Sequence, residues 1–123
     1  MRRNDFMESL VFEYLYTVEG YITFTVRVQS GEFSGASSLC MPKSSFQDAI
    51  SSLNDMYNNL KGTYQINDCD SDDFIQFEFL DLGHIKVSGQ VGGSHREQFL
   101  NYQFVTDQTV LNSIISDFKR MAS

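Results

Sequence analysis

Residues 21 to 29, YITFTVRVQ, restrict this chain more than any other stretch. Ile22, Phe24, Val26 and Val28 fall on one side, and Tyr21, Thr23, Thr25 and Arg27 on the other. Successive side chains of a strand point to opposite faces, so the pattern predicts a strand with one face buried and one wet. Its β-branched and aromatic content agrees. A helix would scatter the same residues around its axis. The chain must therefore build a sheet with one apolar face and supply something to cover that face.

The same signal recurs on both sides. Residues 10 to 17, LVFEYLYT, place Leu10, Phe12, Tyr14 and Tyr16 on one face. VEG predicts a hairpin turn after them, and SGEFSG another before ASSLCM. Pro42 then stops the sheet, and Ser44 with Gln47 has capping-box spacing. Phe46, Ala49, Ile50, Leu53, Met56, Tyr57 and Leu60 follow at helical spacing, with Gly62 closing the helix. Residues 7–62 read β-β-β-α.

Residues 73–122 read the same way. FIQFEFLDL turns Ile75, Phe77 and Phe79 inward and Gln76 and Glu78 outward. HIKVSGQV offers Ile85, Val87, Gly89 and Val91, and QFLNYQFV offers Leu100, Tyr102 and Phe104. Thr106 or Asp107 caps a second helix that buries Val110, Leu111, Ile114, Ile115, Phe118 and Met121. Lys119 and Arg120 in its last turn suit the helix dipole. FEYLYTVEGYITF and FEFLDLGHIKV share Phe-Glu-aromatic-Leu, a loop, then Gly-X-Ile. A duplication and two meanders shaped by the same physics both account for that likeness.

The expected fold is α+β, one domain over residues 1–123. Its antiparallel sheet has about six strands in two β-β-β-α halves, with both helices on one face. The other face is then open and polar, occupied by Thr25, Arg27, Gln76, Glu78, Lys86, Ser88, Asn101 and Gln103. A chain of 123 residues with 11 Phe and 6 Tyr can bury a core without disulfide or metal. No apolar run approaches the roughly 20 residues of a bilayer span, and MRRNDFMESLVFEYLY lacks the pattern of a signal peptide. No membrane association and a cytoplasmic location are expected. Cys40 and Cys69 read as free thiols of a reducing compartment, and no Cys/His set has zinc-ligand spacing. No metal or other cofactor is expected.

The net charge is −7, and the surplus is local. Asp68, Asp70, Asp72, Asp73, Glu78 and Asp81 lie between Lys61 and Lys86 without one basic residue among them. Such a field repels nucleic acid and favours a basic partner. DCDSDD begins like a calcium loop but has Asp73 and Phe79 where an EF-hand needs Gly and Glu. It reads as a solvated loop or an acidic contact surface. His84 sits beside a turn, and His95 in the loop GGSHRE has no orienting partner or nucleophile in view. Gly92 and Gly93 read as a hairpin turn, not a phosphate nest. Strand alternation assigns the aromatic residues to the core, Tyr21 and Phe33 excepted. No nucleophile elbow, Walker loop or HExxH motif is present. No catalytic residue emerges, so the expectation is binding without catalysis.

Gly83-His84-Ile85 with Val87 and Gly89, then Phe104, Asp107-Gln108-Thr109 and Leu111, resemble the WapI family of bacterial immunity proteins. The likeness lies mainly in residues 74–121, and the first half shares only the layout. It implies a stoichiometric inhibitor of a cognate toxin, often a nuclease, and transfers no catalytic residue. Charge adds an expectation of its own: Asp68, Asp70, Asp72, Asp73, Gln76, Glu78 and Asp81 meet a basic toxin domain. Monomer and homodimer both remain open. The rival reading is an acidic secretion chaperone, which would need a sizeable exposed apolar patch. An enzyme with a scattered site and an oligomerisation module stand behind it.

Overall fold

The computed structural model describes residues 8–92 and 99–123. These residues form an α+β fold, antiparallel throughout, with seven strands and two long helices among them. β1 (Glu8–Val18), β2 (Tyr21–Ser30) and β3 (Phe33–Pro42) form one sheet in that order. α1 (Lys43–Asn59) follows. β4 (Thr63–Asn67), β5 (Phe74–Phe79), β6 (His84–Val91) and β7 (Leu100–Asp107) form a second sheet, and α2 (Thr109–Ala122) ends the chain. The single sheet of about six strands is therefore two sheets, of three and four strands. The extra strand is β4, whose five residues carry too few apolar positions to alternate visibly.

Turn chemistry sets the first meander. Glu19 and Gly20 both have positive φ, as a two-residue type I′ hairpin requires. Gly31 takes positive φ at the first position of the β2–β3 turn. β2 keeps the expected register, with Ile22, Phe24, Val26 and Val28 all buried. β1 departs from it. A bulge between Tyr14 and Tyr16 moves Tyr16 opposite the outward Thr23, while Tyr14 stays opposite Phe24 but half-exposed on this edge strand. Neither tyrosine belongs to the core.

α1 begins at Lys43, with Pro42 as its N-cap and no side-chain cap. Ser44 thus stands inside the first turn and makes no capping box. The strand continues to Pro42, whose φ of −60° already suits a helix start. The Lys43 N–H donates to the Gly20 carbonyl at 2.9 Å, tying the helix to the first hairpin. The helix closes before Gly62, at Leu60, which takes a left-handed φ of 56° and donates to the Met56 carbonyl at 2.8 Å. Leu60 is consequently exposed.

Phe46, Ala49, Leu53 and Met56 line the buried side of α1, and Leu111, Ile114, Ile115, Phe118 and Met121 that of α2. The N-cap of α2 is Gln108, without a side-chain cap, and not Thr106 or Asp107. Asp107 stands one residue before it and accepts the Thr109 N–H at 2.8 Å together with the Thr109 hydroxyl. Phe118 meets Phe46 at 5.0 Å and Phe12 at 5.3 Å between ring centroids, and Phe46 meets Phe24 at 5.4 Å. The helix of the second half thus packs on the sheet of the first. Among the described residues, the buried apolar side chains form one continuous cluster.

Two glycines permit close approach. A Cβ on Gly35 of β3 would lie 2.9 Å from a Val91 methyl and 3.3 Å from one of Leu100, so the first sheet closes onto the second there. A Cβ on Gly89 would lie 2.3 Å from the Phe74 carbonyl oxygen and 2.6 Å from the Tyr102 hydroxyl.

Candidate interaction surface and thiol pocket

The acidic loop joins β4 to β5, and two of its carboxylates face inward. Asp68 is 9% exposed and Asp73 1%. Asp68 Oδ1 accepts the Cys40 N–H at 2.8 Å, and its Oδ2 accepts the Ser71 hydroxyl at 2.5 Å. The Cys69 N–H donates to the Cys40 carbonyl at 3.1 Å. The loop therefore satisfies both backbone groups of Cys40 on β3, which would otherwise face water as a free edge. Asp73 Oδ2 accepts the Ser37 hydroxyl at 2.7 Å, and Oδ1 accepts the Gln90 amide at 3.3 Å. The Asp68 N–H bonds the Asp73 carbonyl at 3.0 Å and closes the loop on itself. These two aspartates fasten one sheet to the other.

The remaining expected contact residues are strung out along β5. Asp70 and Asp72 are exposed before the strand, and Asp81 is exposed after it. Six strand residues span about 20 Å, so the carboxylates make a line and not a patch. Gln76 and Glu78 lie between them, half-exposed on the outer face. Glu78 pairs with Lys86 at 3.2 Å, which neutralises the middle of the line. Gln76 and Ser88 are register partners, as are Ser88 and Gln103, and the Gln90–Asn101 pair continues the polar face. Thr25 and Arg27 occupy the outer face of the other sheet, where Arg27 pairs with Glu13 at 3.6 Å. The open polar face thus exists, divided between two sheets.

Apolar side chains also reach the surface. Val11, Leu15, Tyr16, Val18 and Tyr21 are each between 43% and 57% exposed on the first hairpin, and Phe33 is 69% exposed. Tyr21 and Phe33 were the expected exceptions. The others were signalled only by β1 carrying apolar residues at both parities, more than one buried face can take.

Cys40 stands opposite Thr23 on the outer side of β3, where Cys69 and Asp70 meet it. With Val18, Glu19, Tyr21 and Thr23 they line a surface pocket of about 470 Å³. Both cysteines are free thiols. Partial desolvation, the hydrogen bond with Cys40 and the nearby Cys40, Asp70 and Asp68 push the Cys69 thiol up to about 12. The sequence offered no spacing signal for this pair, because β3 and the loop are separated by a whole helix and strand. His84 is exposed beside its turn, with Nδ1 3.2 Å from the Asp81 carbonyl oxygen. Gly93, Ser94 and His95 lie outside the described residues. No described helix is long and apolar enough to cross a membrane.

Fold and surface together define an α+β domain whose two antiparallel sheets share one helical cover and carry a mixed polar and aromatic exterior. The chain belongs to the immunity protein WapI-like family, whose model matches residues 11–123. The match takes in the first meander as well as the segment 74–121 that carried the resemblance. Its role is accordingly toxin immunity. Searches of the curated proteins and of the solved structures found no match.

Proposed function

We propose that this protein binds a cognate toxin domain in the cytoplasm and neutralises it as a stoichiometric inhibitor, without catalysis. The family match over residues 11–123 carries this reading. A nuclease is the toxin class that an acidic inhibitor suits, since a phosphate-binding surface is basic. The net charge of −7 and the exposed Asp70, Asp72 and Asp81 support a basic partner. With Asp68 and Asp73 occupied inside the fold, the contact surface is the line from Asp72 past Gln76 and Glu78 to Asp81.

Co-expression with a neighbouring toxin gene should restore growth and yield a stable complex. In that complex, Asp72→Asn, Glu78→Gln and Asp81→Asn together should slow association about tenfold at low salt, with a smaller effect at high salt. Growth rescue with an association rate indifferent to these changes and to salt would move the interface elsewhere. The exposed apolar residues of the first hairpin favour one second reading, a secretion chaperone holding an extended segment. A complex with the folded toxin, and none with an unfolded fragment, discriminates against it.

A further inference from the structure

We propose that Cys40, Cys69 and Asp70 form a binding site for a thiophilic divalent cation, with zinc the best fit. Both thiol sulfurs and a carboxylate oxygen of Asp70 lie within 4.8 Å of one another. Ligand atoms around a tetrahedral zinc, with bonds of about 2.3 Å to sulfur and 2.0–2.2 Å to oxygen, sit roughly 3.5–3.8 Å apart. Side-chain rotation alone can close a gap of that size.

Backbone bonds, not side-chain chance, make the juxtaposition. The Cys69 N–H is held by the Cys40 carbonyl, and the Cys40 N–H by the buried Asp68. Binding therefore orders little that is not already ordered. Two sulfurs select a borderline-soft ion over calcium or magnesium, which take oxygen ligands. The pocket opens to solvent, leaving room for water in the fourth position. On coordination the two thiols release their protons to water, and the ion cross-links β3 to the loop that leads into β5. Asp70 is the one residue this site shares with the acidic surface of the toxin-binding reading, whose contact line runs from Asp72 past Glu78 to Asp81.

The test is titration of the reduced, tag-free full chain with cobalt(II), followed by competition with zinc. We expect one ion per chain, a thiolate-to-cobalt charge-transfer band, displacement by zinc, and a higher thermal midpoint with zinc bound. Cys40→Ser and Cys69→Ser should each abolish the band, and Asp70→Asn should weaken binding by about tenfold or more. Circular dichroism of each variant separates lost binding from lost folding. Absence of the band in the folded wild-type chain would overturn the site. So would equal binding by the double cysteine variant, or a Cys40–Cys69 disulfide that persists under reduction and blocks the ion.

Discussion

At the scale of single residues, burial reassigns groups that look alike in sequence. Asp68, Asp70, Asp72 and Asp73 are four carboxylates in six positions, yet the first and last are buried and hydrogen-bonded while the middle two face water. Composition reports their charge and cannot report which one accepts a backbone N–H from a strand twenty-eight residues earlier. Tyr102 is the opposite case, an expected core residue with an unexpected flaw. Its hydroxyl is buried and finds no hydrogen-bond partner among the described residues. Burial first, and the charge of Asp73 second, raise its pKa above the ordinary 10.0. The folded state thus holds this proton more tightly than the unfolded chain does. Any stability linked to it is intact below pH 10 and declines as pH rises through the folded value. Tyr102→Phe should leave stability equal or higher by up to about 1 kcal/mol, because a buried unsatisfied donor is removed. It should also flatten the loss above pH 10. Urea unfolding of both forms at neutral and alkaline pH measures the two effects, and a destabilised variant at neutral pH would mean the hydroxyl is satisfied.

At the scale of elements, alternation located β2, β5 and β6 because each buries one face along most of its length, and β7 through the buried pair Tyr102 and Phe104. It failed where the element does something else. β4 pairs through its backbone with few apolar side chains, and the bulge in β1 changes parity in mid-strand. The ends of α1 escaped for a related reason. A strand running straight into the helix leaves no place for a polar cap, and a left-handed Leu60 does what Gly62 was expected to do. The glycines give these elements a measurable test. Gly89→Ala should cost about 1–3 kcal/mol, since its methyl meets a backbone carbonyl that cannot move without breaking the ladder. Gly35→Ala should cost less, because it meets only side-chain methyls of Val91 and Leu100. Chemical denaturation of the pair ranks them, and the reverse order would mean that the contact between sheets is the stiffer of the two.

At the scale of the whole molecule, the two halves share one core. Phe118 of the second half packs against Phe12 of β1 and Phe46 of α1, so the helix of the second half completes the core of the first. A fragment of residues 1–62 should therefore unfold without a cooperative transition, although it contains a full sheet and helix. Mixing it with residues 63–123 should restore the transition. Circular dichroism with urea titration reads both, and cooperative unfolding of either fragment alone would count against a shared core. The resemblance carried by Gly83-His84-Ile85 and Asp107-Gln108-Thr109 is legible for the same reason. Gly83 accepts the Gln108 N–H through its carbonyl, and Asp107 accepts the Thr109 N–H, so the motif records how a turn meets a helix start. Sequence by itself determined the α+β class, the inward faces of most strands and both helices, and the excess of acid, because periodicity and charge are local quantities. Tertiary structure alone decided that there are two sheets, that two aspartates fasten them, and that Cys40 meets Cys69 and Asp70. Those outcomes depend on which strand edge a distant loop satisfies, and an edge leaves no period in the sequence that pairs with it.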